Sequence, residues 1–203
     1  PGRFDPERLL VYRNALADQA GKEPLPAGTD LAGMGDETDA REQVFAIIEE
    51  LKPYLLPILQ AIASDTSGEV VRSLEPLPDD YEKVFDRELA GVAKKHYAEW
   101  WKNQDLHVGA DEKTRIDAHM APAGMLVEDN ELSYHFPGGY RSIAAHLNPH
   151  RIWTSWKYYQ EGESAGLSMN GLVWVDDHWA WFPKPWKLTE YLEPDGRFSR
   201  TRH

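Results

Sequence analysis

The sequence predicts an α+β fold, with N-terminal helices followed by a curved antiparallel sheet of at least four strands and an inserted short helix. Three observations carry this reading. Apolar residues recur at helical spacing up to the aromatic stretch Tyr97, Trp100 and Trp101; beyond Asp117 the period becomes that of strands; and residues 171–188 hold four of the eight tryptophans in a hairpin pattern.

Asp5-Pro6 is a good helix start, an acid at the N-cap and proline at the first helical position, followed by Leu9, Tyr12, Leu16 and Ala20 until Gly21 ends the run. Residues 22–35, rich in Pro, Gly and Asp, read as a linker. A second helix begins between Asp36 and Asp39 and carries Val44, Ile47, Ile48 and Leu51 on one stripe. Pro53 is expected to stop or kink it, with a short apolar helix resuming over 55–62. Residues 64–78 form an irregular connection.

Asp79 with Glu82 resembles a capping box and opens the most amphipathic helix, about five turns long. Its stripe is Tyr81, Phe85, Leu89, Val92, His96 and Trp100, with Val84, Ala93, Tyr97 and Trp101 beside it. After a polar segment over 105–117, a hairpin is expected from 125–128 and 132–136 around Asp129-Asn130. Pro137-Gly138-Gly139 reads as a turn, 142–147 as a short helix and 151–160 as a strand.

The last hairpin pairs 166–175 with 179–182 across Asp176-Asp177. A two-residue loop places Val175 opposite His178, Trp174 opposite Trp179 and Leu172 opposite Trp181. Leu172, Trp174, Trp179 and Trp181 then share one face, and Val173, Val175, Ala180 and Phe182 the other. Both faces are apolar, so the hairpin is expected to be covered on both sides or to line a cavity, with the helices packed on one face of the sheet. Residues 1–78 read as a helical segment with linkers that packs on a main domain at 79–192, and 193–203 as a polar basic tail.

The 203 residues are 41% apolar and 28% charged, ordinary for a globular chain. Having no cysteine excludes disulfides and thiolate chemistry. The net charge of −12 argues against nucleic acid as a partner, since phosphates demand a basic surface. The longest apolar run, 54–63, is half of the roughly 20 residues that a membrane span needs. Twelve acids against three bases lie between Asp30 and Asp80, either a solvated face or a docking surface for a basic partner. The first residue is Pro1, which suggests a processed chain, and localisation is not assigned.

The run Val173-Trp174-Val175-Asp176-Asp177-His178-Trp179-Ala180-Trp181-Phe182, with the amphipathic helix and the inserted short helix before it, resembles the NTF2-like (cystatin-like α+β cone) superfamily over about residues 80–188. Asp177 stands where that pattern usually has glycine. The shorter phrases Phe136-Pro137-Gly138-Gly139-Tyr140 and Trp181-Phe182-Pro183-Lys184-Pro185-Trp186 are similar to phrases of bacterial proteins to which no activity is attached here. The resemblance implies a cone whose mouth binds a small molecule or closes against a partner. The superfamily hosts isomerases, dehydratases, transport factors and association modules, so it implies no particular chemistry.

No catalytic constellation emerges from the residues. His96 lies on the apolar stripe, where it is either a pocket acid/base or a core histidine bonded within the fold. His96, Tyr97, Trp100, Trp153, Trp174 and Trp181 are the ligand-pocket candidates. His119, His135, His146 and His150 lack the spacing of a metal motif, so neither a metal nor a cofactor is expected. Asp176, Asp177 and His178 are accounted for by turn chemistry, and Gly138-Gly139 carries no nucleotide fingerprint. Trp153 and Trp156 fall on opposite faces of their strand. The preferred reading is a non-enzymatic binding or interaction module for a small apolar ligand or a protein partner, and a homodimer is compatible with it. The alternatives are a small-molecule isomerase or dehydratase using His96, and an acidic inhibitor or immunity-type protein presenting residues 30–80.

Overall fold

The structure is a computed structural model that describes residues 37–103, 108–110 and 115–191. The helix expected at residues 5–21, the linker at 22–35, and the tail at 193–203 lie outside the described residues. Helix α1 (Glu37–Ser64) is followed by α2 (Glu69–Arg72), α3 (Asp80–Val84) and α4 (Arg87–Asn103). Strand β1 (Arg115–Pro122) leads through two single 3₁₀ turns to α5 (Gly139–Ile143). Then come β2 (Ile152–Tyr159), β3 (Gly166–Val175), β4 (His178–Trp181) and a closing 3₁₀ segment, Pro185–Tyr191. The α+β class holds: helices precede a four-stranded antiparallel meander, β1-β2-β3-β4, with α5 inserted between β1 and β2.

Helix α1 runs unbroken through Pro53 and Pro57, which corrects the expected stop. The two prolines are four residues apart and both exposed, so the carbonyls they deprive of a donor face water. On the opposite side Ile48, Leu51, Leu55, Leu59 and Ile62 are buried, and this apolar contact outweighs the local cost. The connector to α2 is organised by Asp65, whose carboxylate accepts bonds from Ser67 N, Ser67 Oγ, Gly68 N and Val71 N. Burial opposes ionisation of Asp65, but those bonds outweigh it and hold its pKa below the usual value.

The single long helix expected from Asp79 is two helices. Phe85 is extended (φ −111°, ψ 158°) and bridges to Leu147, while Asp86 N bonds to His146 O and Asn148 N to Val84 O. Asp86 then caps α4, accepting from Leu89 N at 2.8 Å. The break turns α4 about its axis. Its buried stripe is Leu89, Ala90, Ala93, Tyr97 and Trp101, whereas Val92, His96 and Trp100 are only partly buried.

The hairpin expected over 125–136 is absent, and β1 lies upstream, partly in the segment read as polar. Asn130 explains the difference. Its Oδ1 accepts from Leu132 N and Ser133 N, and its Nδ2 donates to Met125 O, curling the segment into 3₁₀ turns. Leu132 and Phe136 are buried while Tyr134 is 85% exposed, so the alternation read there was not that of a strand.

The terminal hairpin has the expected register: Leu172↔Trp181, Val173↔Ala180, Trp174↔Trp179 and Val175↔His178. Asp176 carries a positive φ of 56° at the tip and Asp177 does not, so Asp177 is no obstacle to the turn. Between Thr154 and Ser155 the pairing with β3 shifts by one residue, leaving Gly171 as a bulge with φ 95°. Trp153, Ser155, Lys157, Asn170, Val173 and Ala180 therefore share one face, and Thr154, Trp156, Tyr158, Leu172, Trp174 and Trp181 the other.

Helices cover both faces, which corrects the one-sided packing expected. On the Trp153 face, Phe85 from the α3–α4 break, Tyr140 from α5 and Phe182 surround Trp153 at 5.7–6.2 Å between ring centroids. On the Trp156 face, Tyr158 Oη donates to Leu59 O of α1 at 2.7 Å. Helix α4 passes the β4 end of the sheet: Tyr97 meets Phe182 on one side and Trp101 meets Trp181 on the other. The connector after α2 also reaches β4, where Trp181 N donates to Leu74 O.

Two substitutions test this packing. Leu89→Ala, at a fully buried site, should cost about 2–5 kcal/mol in chemical denaturation, and a loss below about 1 kcal/mol would mean a loosely packed stripe. Gly171→Ala would place a Cβ 2.1 Å from Phe182 O at a positive φ. It should cost at least about 1–3 kcal/mol by the same measurement, and a neutral result would locate the bulge elsewhere.

Candidate functional site

The six pocket candidates do not line one wall. Tyr97 and Trp153 lie among the rings of the Trp153 face, where Tyr97 Oη donates to Pro183 O at 3.2 Å. Burial pushes the Tyr97 hydroxyl well above its ordinary pKa, and the Tyr140 hydroxyl likewise. Trp100 and Trp181 meet at 5.9 Å on the other face, with Trp156 against Trp181. Trp174 packs edge-to-face on Trp179 at 5.2 Å. His96 meets the closing 3₁₀ segment: Nδ1 is 3.2 Å from Tyr191 Oη, and its ring stands edge-on to Tyr97 and Tyr191. Partial burial pulls the His96 pKa down. The charge of Glu190 opposes that shift.

Polar chemistry concentrates in two other places. One is the β3–β4 tip, where His178 is clamped between carboxylates: Nε2 is 2.8 Å from Asp80 Oδ2 and Nδ1 is 2.9 Å from Asp177 Oδ1. Asp80 is fully buried, accepts from Leu77 N at 2.7 Å, and has Lys83 Nζ 4.0 Å from its second oxygen. Asp176 receives Lys83 at 2.8 Å and Arg151 at 3.0 Å. These bonds depress the Asp176 pKa and raise that of Lys83. Partial burial alone would lower the His178 pKa, but the bonds and charges of Asp177 and Asp80 outweigh it, and the net shift is upward. The tip is thus tied ionically to α3, and the turn chemistry read from Asp176 and Asp177 is one part of a lock.

The second place is the polar half of the Trp153 face, which the aromatic cover touches at Asn170 through Tyr140. Three rungs carry Arg115, Tyr159 and Gly166; Asp117, Lys157 and Ser168; and His119, Ser155 and Asn170. His119 Nε2 is 3.1 Å from Asp117 Oδ1, and its ring is stacked at 3.6 Å, nearly coplanar (2°), on His135 from the Asn130 loop. Burial against this neighbour and the His119 charge lower the His135 pKa. Arg115 and Lys157 sit 4.9 and 4.7 Å from the Tyr159 ring centroid. Among the described residues no three His, Asp or Glu side chains are grouped to hold a metal ion. Sequence reasoning missed this assembly because β1 was not recognised and the two histidines lie sixteen positions apart. The alternation Asp117-x-His119, two residues on one strand face, was its available signal.

The clamp at His178 has a definite pH signature. Its folded pKa is raised above an unfolded value of about 6.5. The stabilisation is therefore complete below about 6.5 and is lost as pH rises through the folded value. Across that window Asp177 stays ionised, because its bond to His178 holds its carboxyl below the usual range. The stability difference between wild type and His178→Gln should be widest near pH 6 and shrink toward about pH 8.5 in denaturant titrations. A difference that is flat or grows with pH would contradict the clamp.

Set against protein-family models, curated proteins and solved structures, the chain gives no match to any of them.

Proposed function

We propose that the chain is a non-enzymatic binding or interaction module of the NTF2-like type. One observation carries this reading: the groups along α4 and under the sheet that could do acid/base work are taken up by structural partners. Tyr97 is bonded to Pro183 O, His96 to Tyr191, and Tyr81, Phe85, Tyr97, Trp153 and Phe182 lie in mutual ring contact with at most 5% of each exposed. The α3–α4 pair packed on a four-stranded meander supports a cone fold closed by aromatic rings. An isomerase or dehydratase using His96 would need that imidazole in a cavity wall, and it faces Tyr191 instead. An inhibitor presenting residues 30–80 would use the exposed Glu49, Glu69, Glu75 and Asp79, whereas Asp65 and Asp80 are buried and bonded within the fold.

The test is whether the space under α4 takes a ligand. Wild-type protein should show no saturable binding of benzene or indole, whereas Phe182→Ala should open an apolar void that binds benzene. That variant should remain folded at a cost of about 3–5 kcal/mol. Saturable binding of an apolar ligand to wild type, abolished in Tyr97→Phe, would favour the enzyme reading.

A further inference from the structure

We infer that the polar rungs of the Trp153 face form a binding site for a carboxylate, with Ser155 and Asn170 as its floor; this rests on the binding-module reading. Ser155 and Asn170 are paired directly across β2 and β3, and His119 is paired with Ser155 from β1. Ser155 is 9% exposed and Asn170 8%. The Asn170 amide has a fixed orientation: Oδ1 accepts from Lys184 N at 3.1 Å and from Tyr140 Oη at 3.4 Å. Since a backbone N–H can only donate, the group it meets is the oxygen, and Nδ2 with its two hydrogens is turned to the other side.

Neither Nδ2 of Asn170 nor Oγ of Ser155 has a hydrogen-bond partner among the described residues, although both side chains are more than nine-tenths buried. Neither atom is among the buried polar atoms sealed from solvent, so an outside group can reach both. Thr154 Oγ1 and the Trp153, Trp156 and Trp174 indoles are also without partners but are sealed from solvent, whereas these two donors are reachable and so can accept an outside group. What they lack is acceptor oxygen, and they are two donors on neighbouring strands. A carboxylate presents two acceptor oxygens in one plane, which answers both.

Charge selects among acceptors. Lys157 and Arg115 stand one and two rungs away on the same face, and His119 flanks Ser155. Asp117 is the acid of these rungs, and it is drawn to His119 at 3.1 Å. In a chain of net charge −12, this face is where a small anion meets cations. A phosphate dianion would meet the repulsion of Asp117, and a neutral amide would forgo the attraction of Lys157 and Arg115. A monoanionic carboxylate fits both limits.

Titration of ¹⁵N-labelled protein with butanoate, N-acetylalanine and butanamide, at constant ionic strength and up to about 100 mM, tests the site. A carboxylate should give saturable shifts at the Asn170 side-chain amide and the Ser155 backbone amide, with butanamide at least roughly tenfold weaker. N-acetylalanine binding better than butanoate assigns the carboxylate to a chain terminus, and equal binding to a free small acid; both support the site. Asn170→Asp keeps an acceptor for Lys184 N and Tyr140 Oη while replacing the free donor by negative charge, and should weaken binding roughly tenfold or more. Ser155→Ala is a second, smaller change that should weaken it in the same direction. No saturable shift, equal binding of butanamide, or binding unchanged in both variants overturns the site. Chemical turnover of a bound carboxylate would overturn the non-enzymatic reading and leave the site standing.

Discussion

At Gly171 the third strand carries one residue more than its neighbour can pair, and the arrangement of the sheet follows from that surplus. Without it, Asn170 and Val173 would point to opposite sides. With it, they share the Trp153 face, while Leu172 joins Trp156 on the other. The backbone can make this step because φ is 95° and there is no Cβ to strike Phe182 O. The same point is tied from both directions, since Phe182 N donates to Gly171 O and the Trp181 indole to Asn170 O. One backbone kink thus brings the polar floor, the aromatic cluster and the last hairpin into register.

The core around this kink is built by ring volume more than by polar pairing. The indole N–H groups of Trp101, Trp153, Trp156 and Trp174 are buried with no hydrogen-bond partner among the described residues. Each such donor opposes folding by about 1–3 kcal/mol. What offsets them is apolar area, roughly 150–250 Å² for each large ring, and edge-to-face contacts such as Phe85–Phe182 at 5.2 Å and 89°. Tyrosines in the same layers do find partners, Tyr97 at Pro183 O and Tyr158 at Leu59 O. They join strand ends and helices where the indoles only fill space.

Much of this was legible in the sequence and some was not, for identifiable reasons. Period 2 across Asp176-Asp177 specified the hairpin register residue by residue, because a two-residue loop at the acid pair fixes which residues face each other. Helical spacing located α4 but misjudged its rotation, since Asp86 acts as a cap inside an otherwise continuous pattern and restarts the helix. The prolines of α1 are local breakers overruled by the leucines beneath them. The 125–136 hairpin was mistaken because the bonds of one asparagine side chain imitate alternation without any partner strand. The polar rungs escaped notice altogether. They depend on β1 being a strand and on the Gly171 bulge, and the alternation Asp117-x-His119 is too short a mark to establish either. Residues that looked most functional, such as His96 and the tryptophans, stood out because aromatic and ionisable side chains are conspicuous, and most of them serve the core.

The bond from Trp181 N to Leu74 O has a consequence for how this chain can meet another molecule. A sheet margin with idle amides invites a foreign strand to add on, by backbone contacts that read little of the visitor's sequence. Here the connector after α2 occupies an outward amide of β4, and α4 runs past the same margin with Tyr97 and Trp101 on either side of it. Augmentation at β4 would first require peeling away the chain's own covering. The β4 margin is thereby closed to a foreign strand by the chain itself.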